Sequence, residues 1–152
     1  MEIRELYLKD YVGQSVVVHG WIRSHRKQSH FGFIDLTDGT CFKSIQVVYD
    51  EKLCNFGEIS KLLVGSSIEV YGKIVASSGK QSFELQAERV TVIGISDESY
   101  PIQPKRHTRE FLRDVAHLRA RTSLFQAVFR IRSVAAMAIH TYFQDRNYVY
   151  FH

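Results

Sequence analysis

The sequence predicts a mainly β fold: a five-stranded Greek-key barrel, then a linker and the first long helix of a truncated α+β domain. Three observations carry that prediction. Apolar residues alternate at period two from Ser15 for about eighty residues, the spacing of strands with one face buried. A short helical segment interrupts the runs between the third and the fourth. Both prolines, Pro101 and Pro104, fall together just before an apolar pattern of helical period begins.

Taken in order, Leu6-Tyr7-Leu8, followed by Asp10 and Gly13, suggests a short helix and a turn leading into the first strand. In that strand Val16, Val18 and Ile22 alternate with His19, Trp21 and Arg23. Phe31 to Leu36 forms a second run, ended by the turn Asp38-Gly39, and Ser44 to Tyr49 a third. Asn55 to Leu63 reads as a short helix, with Phe56, Ile59, Leu62 and Leu63 on one side and Gly65 closing it. Ile68 to Ala76 and Phe83 to Ile93 are the fourth and fifth strands, joined by Ser77-Ser78-Gly79-Lys80. Three strands, a helix and two strands is the element order of the OB-fold barrel. Tyr100 to Pro104 reads as linker. Beyond it Thr122 or Ser123 caps a helix to about Arg146, with Phe125, Val128, Phe129, Ala135, Ile139, Tyr142 and Phe143 in a wide apolar stripe. Asn147 can end that helix, and Tyr148-Val149-Tyr150-Phe151 reads as the start of a strand. The domains expected are therefore a barrel at 1–99, a linker at 100–107 and a truncated domain from 108 to 152.

Composition narrows the class. The 152 residues are 45% hydrophobic and 24% charged, ordinary for a soluble globular chain. The residues offer no apolar run of membrane-spanning length, and the charged start, Met1-Glu2-Ile3-Arg4-Glu5, does not read as a secretory signal. Cys41 and Cys54 lie far apart, without a CxxC or clustered histidines, which points to reduced thiols in a cytoplasmic protein and to no metal site. The net charge of +4 is uneven: residues 1–95 hold eleven Lys/Arg against eleven Asp/Glu, and the excess lies in residues 96–152. Any nucleic-acid affinity of the barrel must come from a local patch.

Alternation supplies a candidate patch. With Val16, Val18, Ile22, Gly32, Ile34 and Leu36 inward, the outward set is His19, Trp21, Arg23, Phe31, Phe33 and Asp35, joined by Gln46, Glu84 and Gln86 from later strands. Arg23, His25, Arg26, Lys27 and His30 read as a basic loop leaving the first strand. Aromatic faces stack on splayed bases, amides and carboxylates read base edges, and cations hold the backbone. Trp21 and Phe31 equally suit a half-buried barrel wall, and each residue alone is unremarkable. Their joint placement makes the case for single-stranded nucleic acid.

Specific segments then carry a resemblance. Val18-His19-Gly20-Trp21-Ile22-Arg23, Phe33-Ile34-Asp35-Leu36-Thr37-Asp38-Gly39 and Ile45-Gln46-Val47-Val48 resemble the anticodon-binding domain of the aspartyl, asparaginyl and lysyl class II aminoacyl-tRNA synthetases. Thr108 to Asp114, His117 to Thr122, Phe129 to Ser133 and Ala138-Ile139-His140 are similar to the asparaginyl member. Ala120 departs from it, standing where proline is frequent. The resemblance implies that Phe33 stacks on the central uridine of the anticodon and that Gln46 bonds its edge. It also places Arg26 near the backbone and bases and Glu84 at the third anticodon position, with Arg23 and His25 close by. Helix 123–146 would be the motif 1 helix, whose Phe125, Phe129, Arg132 and Ile139 would lie in a homodimer interface. The family charges asparagine onto tRNA with ATP and Mg²⁺ through motifs 2 and 3, which do not occur in these residues. The chain alone is expected to bind tRNA without a cofactor and to be inactive as a ligase. An aspartyl-type fragment and a general single-strand-binding module remain alternatives, as does a helix stripe that simply drives dimerisation.

Overall fold

A computed structural model describes residues 1–77, 79 and 81–151. Ser78 and Lys80, in the turn expected at 77–80, and His152 lie outside the described residues. The chain divides into two compact units, Met1–Arg106 and His107–His152.

The first unit begins with α1 (Ile3–Leu6), whose Ile3 and Leu6 are fully buried. This helix lies earlier than the Leu6-Tyr7-Leu8 pattern suggests. Asp38 and Thr40 of the loop after the second strand accept from the backbone N–H of Ile3 and Arg4, so the helix start is fixed by residues 35 or more away. The barrel strands are β1 (Ser15–Lys27), β2 (Phe31–Thr37), β3 (Ile45–Asp50), β4 (Ser67–Ala76) and β5 (Phe83–Gly94). They close in the order β1-β2-β3-β5-β4. Neighbours run antiparallel except β3 and β5, which are parallel. That is the Greek-key closure expected from the element order.

Two departures matter for the site. β1 continues to Lys27, so residues 23–27 are strand and not loop. A bulge falls between Ile22 and Ser24: Ile22 pairs with Leu36 and Ser24 with Asp35. One extra residue reverses which side chains face inward beyond it. The helix between β3 and β4, α2, is only Phe56–Ile59, although Ile59 and Leu62 are buried as the apolar pattern required.

The core is formed by the inward positions of all five strands, among them Val18, Ile34, Leu36, Ile45, Val47, Ile68, Val70 and Leu85, each 0% exposed. Tyr49 reaches across this interior. A Cβ on Gly32 would stand 2.4 Å from the Tyr49 ring, so that aromatic occupies the space a side chain there would need.

In the second unit, α3 (Arg109–Asp114) is capped by the Thr108 hydroxyl, which accepts from Phe111 N–H. A 3₁₀ turn at Arg119–Arg121 precedes α4 (Ser123–Gln144). Thr122 is the N-cap of α4, and Asn147 adopts φ +61° just beyond its end, the left-handed residue that stops a helix. None of the residues of α4 is buried. Residues 148–151 form no strand; a strand needs a partner to satisfy its backbone, and the described residues place none beside it.

Candidate nucleic-acid interface

The outer side of β1, β2 and β3 is assembled by register. Arg26 pairs with Phe33, and Phe33 with Val48; Ser24 pairs with Asp35, and Asp35 with Gln46. Two rows therefore run across three strands, with side chains about 5 Å apart. The Arg26 guanidinium lies over the Phe33 ring at 5.1 Å, and Phe31 meets the same ring edge-on at 5.5 Å. Phe33 thus carries a cation over its ring and contacts a second aromatic.

A polar chain runs alongside. Arg26 Nη2 donates to Gln46 Oε1 at 3.1 Å, and Gln46 Nε2 donates to Glu84 Oε2 at 3.1 Å. Ser77 Oγ donates to the same carboxylate oxygen at 3.3 Å, and the Gln46 backbone N–H donates to Gln81 Oε1 at 3.0 Å. A donor on one side and an acceptor on the other decide which end of the Gln46 amide is oxygen and which is nitrogen. Above these groups opens a cleft of about 500 Å³ lined by Ser24, Arg26, Phe33, Asp35, Gln46, Ser77, Gly79 and Gln81.

The charges of this site are mixed. Arg26 is opposed by Asp35 and Glu84, so phosphate groups gain little in the cleft itself, while donor-bearing base edges gain acceptors. Lys27 and His30 are exposed at the end of the β1–β2 hairpin. His30 Nδ1 is 2.8 Å from Glu51 Oε2.

Four of the sequence-derived site residues, Arg26, Phe33, Gln46 and Glu84, thus come together. Arg23 sits in the bulge, exposed. His25 does not share their face and corrects the basic-loop expectation. It pairs with inward-facing Ile34, and both ring nitrogens are engaged inside: Nδ1 at 2.9 Å from the Leu62 carbonyl and Nε2 at 2.7 Å from Tyr49 Oη. A carbonyl can only accept, so Nδ1 carries the proton and the neutral ring accepts from the Tyr49 hydroxyl through Nε2. Burial pushes the His25 pKa down, helped by the Lys27 charge and opposed by the Leu62 hydrogen bond. Trp21 and Phe31 are 38% and 42% exposed, walls of the outer face and not core. Gln86 is exposed on β5. Ser24, Ser77 and Gln81 were not singled out by sequence: Ser24 reaches the face only through the bulge, and the other two arrive from the β4–β5 turn, which carries no periodic signal.

In the second unit Phe125 and Phe129 are half-buried beneath the Arg119 guanidinium, at 4.8 and 5.4 Å from their rings, while Arg132 and Ile139 are exposed. The apolar side chains most open to solvent on α4 include Ile131, Val134 and Met137. No helix of the described residues is long and apolar enough to cross a membrane, and they contain no group of three or more His, Cys, Asp or Glu that could hold a metal ion.

The chain is 55% identical over 157 residues to the asparagine–tRNA ligase of Acholeplasma laidlawii, covering 100% of this chain and 34% of that one. To the asparagine–tRNA ligase of Clostridium beijerinckii it is 53% identical over 153 residues, covering 99% and 33%. The chain spans about a third of the length of the curated relatives it matches. Among solved structures it resembles asparaginyl-tRNA synthetase from Pyrococcus horikoshii, with a TM-score of 0.84 at 23% identity over 99% of this chain and 36% of that one. It also resembles aspartyl tRNA synthetase from Entamoeba histolytica, with a TM-score of 0.86 at 17% identity over 100% and 38%. At those identities the likeness is one of fold. Residues 16–93, just over half of the chain, match the family described as OB-fold nucleic acid binding domain, and with the closed barrel and its aromatic, polar outer face the chain belongs to that family.

Proposed function

We propose that this chain is the anticodon-reading part of an asparagine–tRNA ligase. The observation that carries the proposal is the convergence of Phe33, Arg26 and Gln46 on one cleft, with Glu84 hydrogen-bonded to Gln46. It occurs in a chain 52–55% identical to proteins named asparagine–tRNA ligase. In this reading the central uridine of the anticodon stacks on Phe33 and presents its edge to Gln46, whose amide is oriented by Arg26 and Glu84. Glu84 also faces the third anticodon base, and Arg23, with Lys27, lies along the phosphates. His25 supports this surface from inside.

The complete protein would activate asparagine with ATP and Mg²⁺ in the cytoplasm, using residues other than these 152, and would act as a homodimer through α4. Phe125, Phe129, Arg132 and Ile139 are the interface residues proposed there; the first two contribute through the surface they share with Arg119. The sequence relatives favour the asparaginyl over the aspartyl reading, and the specific cleft favours an anticodon over any single strand.

Fluorescence anisotropy with labelled RNAs tests the proposal. The chain should bind a stem-loop carrying the anticodon GUU more tightly than the same loop with GUC, and both more tightly than a scrambled single strand of equal length. Raising salt should weaken all three, since phosphate neutralisation contributes to each. Equal affinity for the stem-loop and the scrambled strand would remove the synthetase reading and leave a general single-strand binder.

A further inference from the structure

The cleft contains a carboxylate that the anticodon reading leaves without a task. Asp35 lines it, between Ser24 on β1 and Gln46 on β3. Among the described residues its carboxylate makes no hydrogen bond, although it is flanked by two polar side chains and is only partly exposed. An acidic group is out of place in a groove for a polyanion unless it faces a donor. The donors that an unpaired nucleotide offers are base N–H groups and the ribose hydroxyl.

The neighbouring groups decide between them. Gln46 cannot turn its amide over without breaking two bonds, because Arg26 donates to Oε1 and Glu84 accepts from Nε2. With that orientation fixed, the hydrogen left over on Gln46 is a donor. Beside it stands Asp35, an acceptor only, and beyond Asp35 the Ser24 hydroxyl, which can donate. Across the three strands the row reads donor, acceptor, donor. The Watson–Crick edge of uracil reads acceptor, donor, acceptor (O4, N3–H, O2), its complement. Cytosine presents an amino donor followed by the bare N3 acceptor, which sets donor against donor at Gln46 and lone pair against carboxylate at Asp35.

We infer that Asp35 is a specificity-determining residue, the acceptor for the N3–H of a uracil seated on Phe33, with Gln46 donating to the adjacent carbonyl and Ser24 completing the row. The inference rests on the anticodon reading and deepens it: Gln46 acts as donor, and the choice of uracil over cytosine lies with a carboxylate beside it.

The test uses the full chain, wild type and Asp35→Asn, with four RNAs: the GUU stem-loop, the same loop with central cytosine, the same loop with central 3-methyluridine, and a scrambled strand. Wild type should prefer uridine over cytosine, and the methylated base, which has no N3 proton, should bind no better than cytosine. In Asp35→Asn the new amide can present either its oxygen or its nitrogen, so the uridine-to-cytosine preference should fall about tenfold or more, the scale of one hydrogen bond to a charged group. The thermal midpoint should not move. A preference that stays within about twofold of wild type, with the RNA still bound, overturns the inference and leaves the anticodon reading standing. A uniform tightening of all four RNAs also overturns it, making Asp35 a charge that merely repels phosphate. Wild type that binds the scrambled strand as well as the stem-loop removes both.

Discussion

His25 and Arg26 are consecutive residues on one strand, and they belong to two regions of the barrel wall built on opposite terms. The inner region around His25 is closed: Ile34, Leu36 and Val47 have no exposed surface, and His25 and Tyr49 satisfy each other and the Leu62 carbonyl. The outer region around Arg26 is organised but open, with the Phe33 ring only partly buried beneath the Arg26 guanidinium, and with an amide held in one orientation. The inner wall spends its side chains on stability. The outer wall spends them on orientation, leaving Asp35 and the spare hydrogen-bonding capacity of Gln46 for a ligand. Substitutions a single residue apart should therefore separate folding from binding.

The largest effect expected is on the inner side. Ile34→Ala empties a fully buried position and should lower stability by about 2–5 kcal/mol in urea denaturation. The folded fraction should bind RNA with little change; a matched loss of affinity at unchanged stability would break the division. Next comes Gly32→Ala. Its added methyl would meet the Tyr49 ring, so the ring must shift, at a cost of about 1–3 kcal/mol and with the His25–Tyr49 bond disturbed.

A smaller effect sharpens the comparison through pH. The His25 pKa is depressed in the folded chain, so below the ordinary histidine range the unfolded state binds the proton more readily. Stability contributed by the neutral ring is present above about pH 6.5 and is lost as pH falls through the lower folded value. The thermal midpoint of wild type should fall more steeply from pH 7.5 to 5.5 than that of His25→Gln. Parallel curves would mean that His25 is not held neutral by its surroundings.

These contrasts also mark what the sequence could and could not disclose. Strand alternation placed Ile34, Leu36, Ile45 and Val47 inside and Phe33, Gln46 and Glu84 outside, because a period of two is local and needs no knowledge of partners. The element order implied the barrel. The bulge after Ile22 is not local: it arises from how β1 pairs with β2, and it moved His25 inward and brought Ser24 onto the outer face. The contributions of Ser77 and Gln81 depend on β5 closing beside β3, a long-range parallel pairing with no mark in either segment. In α2 the apolar spacing of Phe56, Ile59 and Leu62 was right about burial and wrong about helix length, since one packed turn satisfies it. The end of α4 was legible because Asn147 tolerates positive φ; the strand expected after it was not formed because alternation alone supplies no partner.

The central claim is that the Phe33 ring is a stacking platform for an anticodon base. Phe33→Ala, measured for both GUU stem-loop affinity and thermal midpoint, tests it most directly. Affinity should fall by about 1–3 kcal/mol with the midpoint nearly unchanged. Full affinity in the variant, or a midpoint that collapses as it would for a core residue, would contradict it.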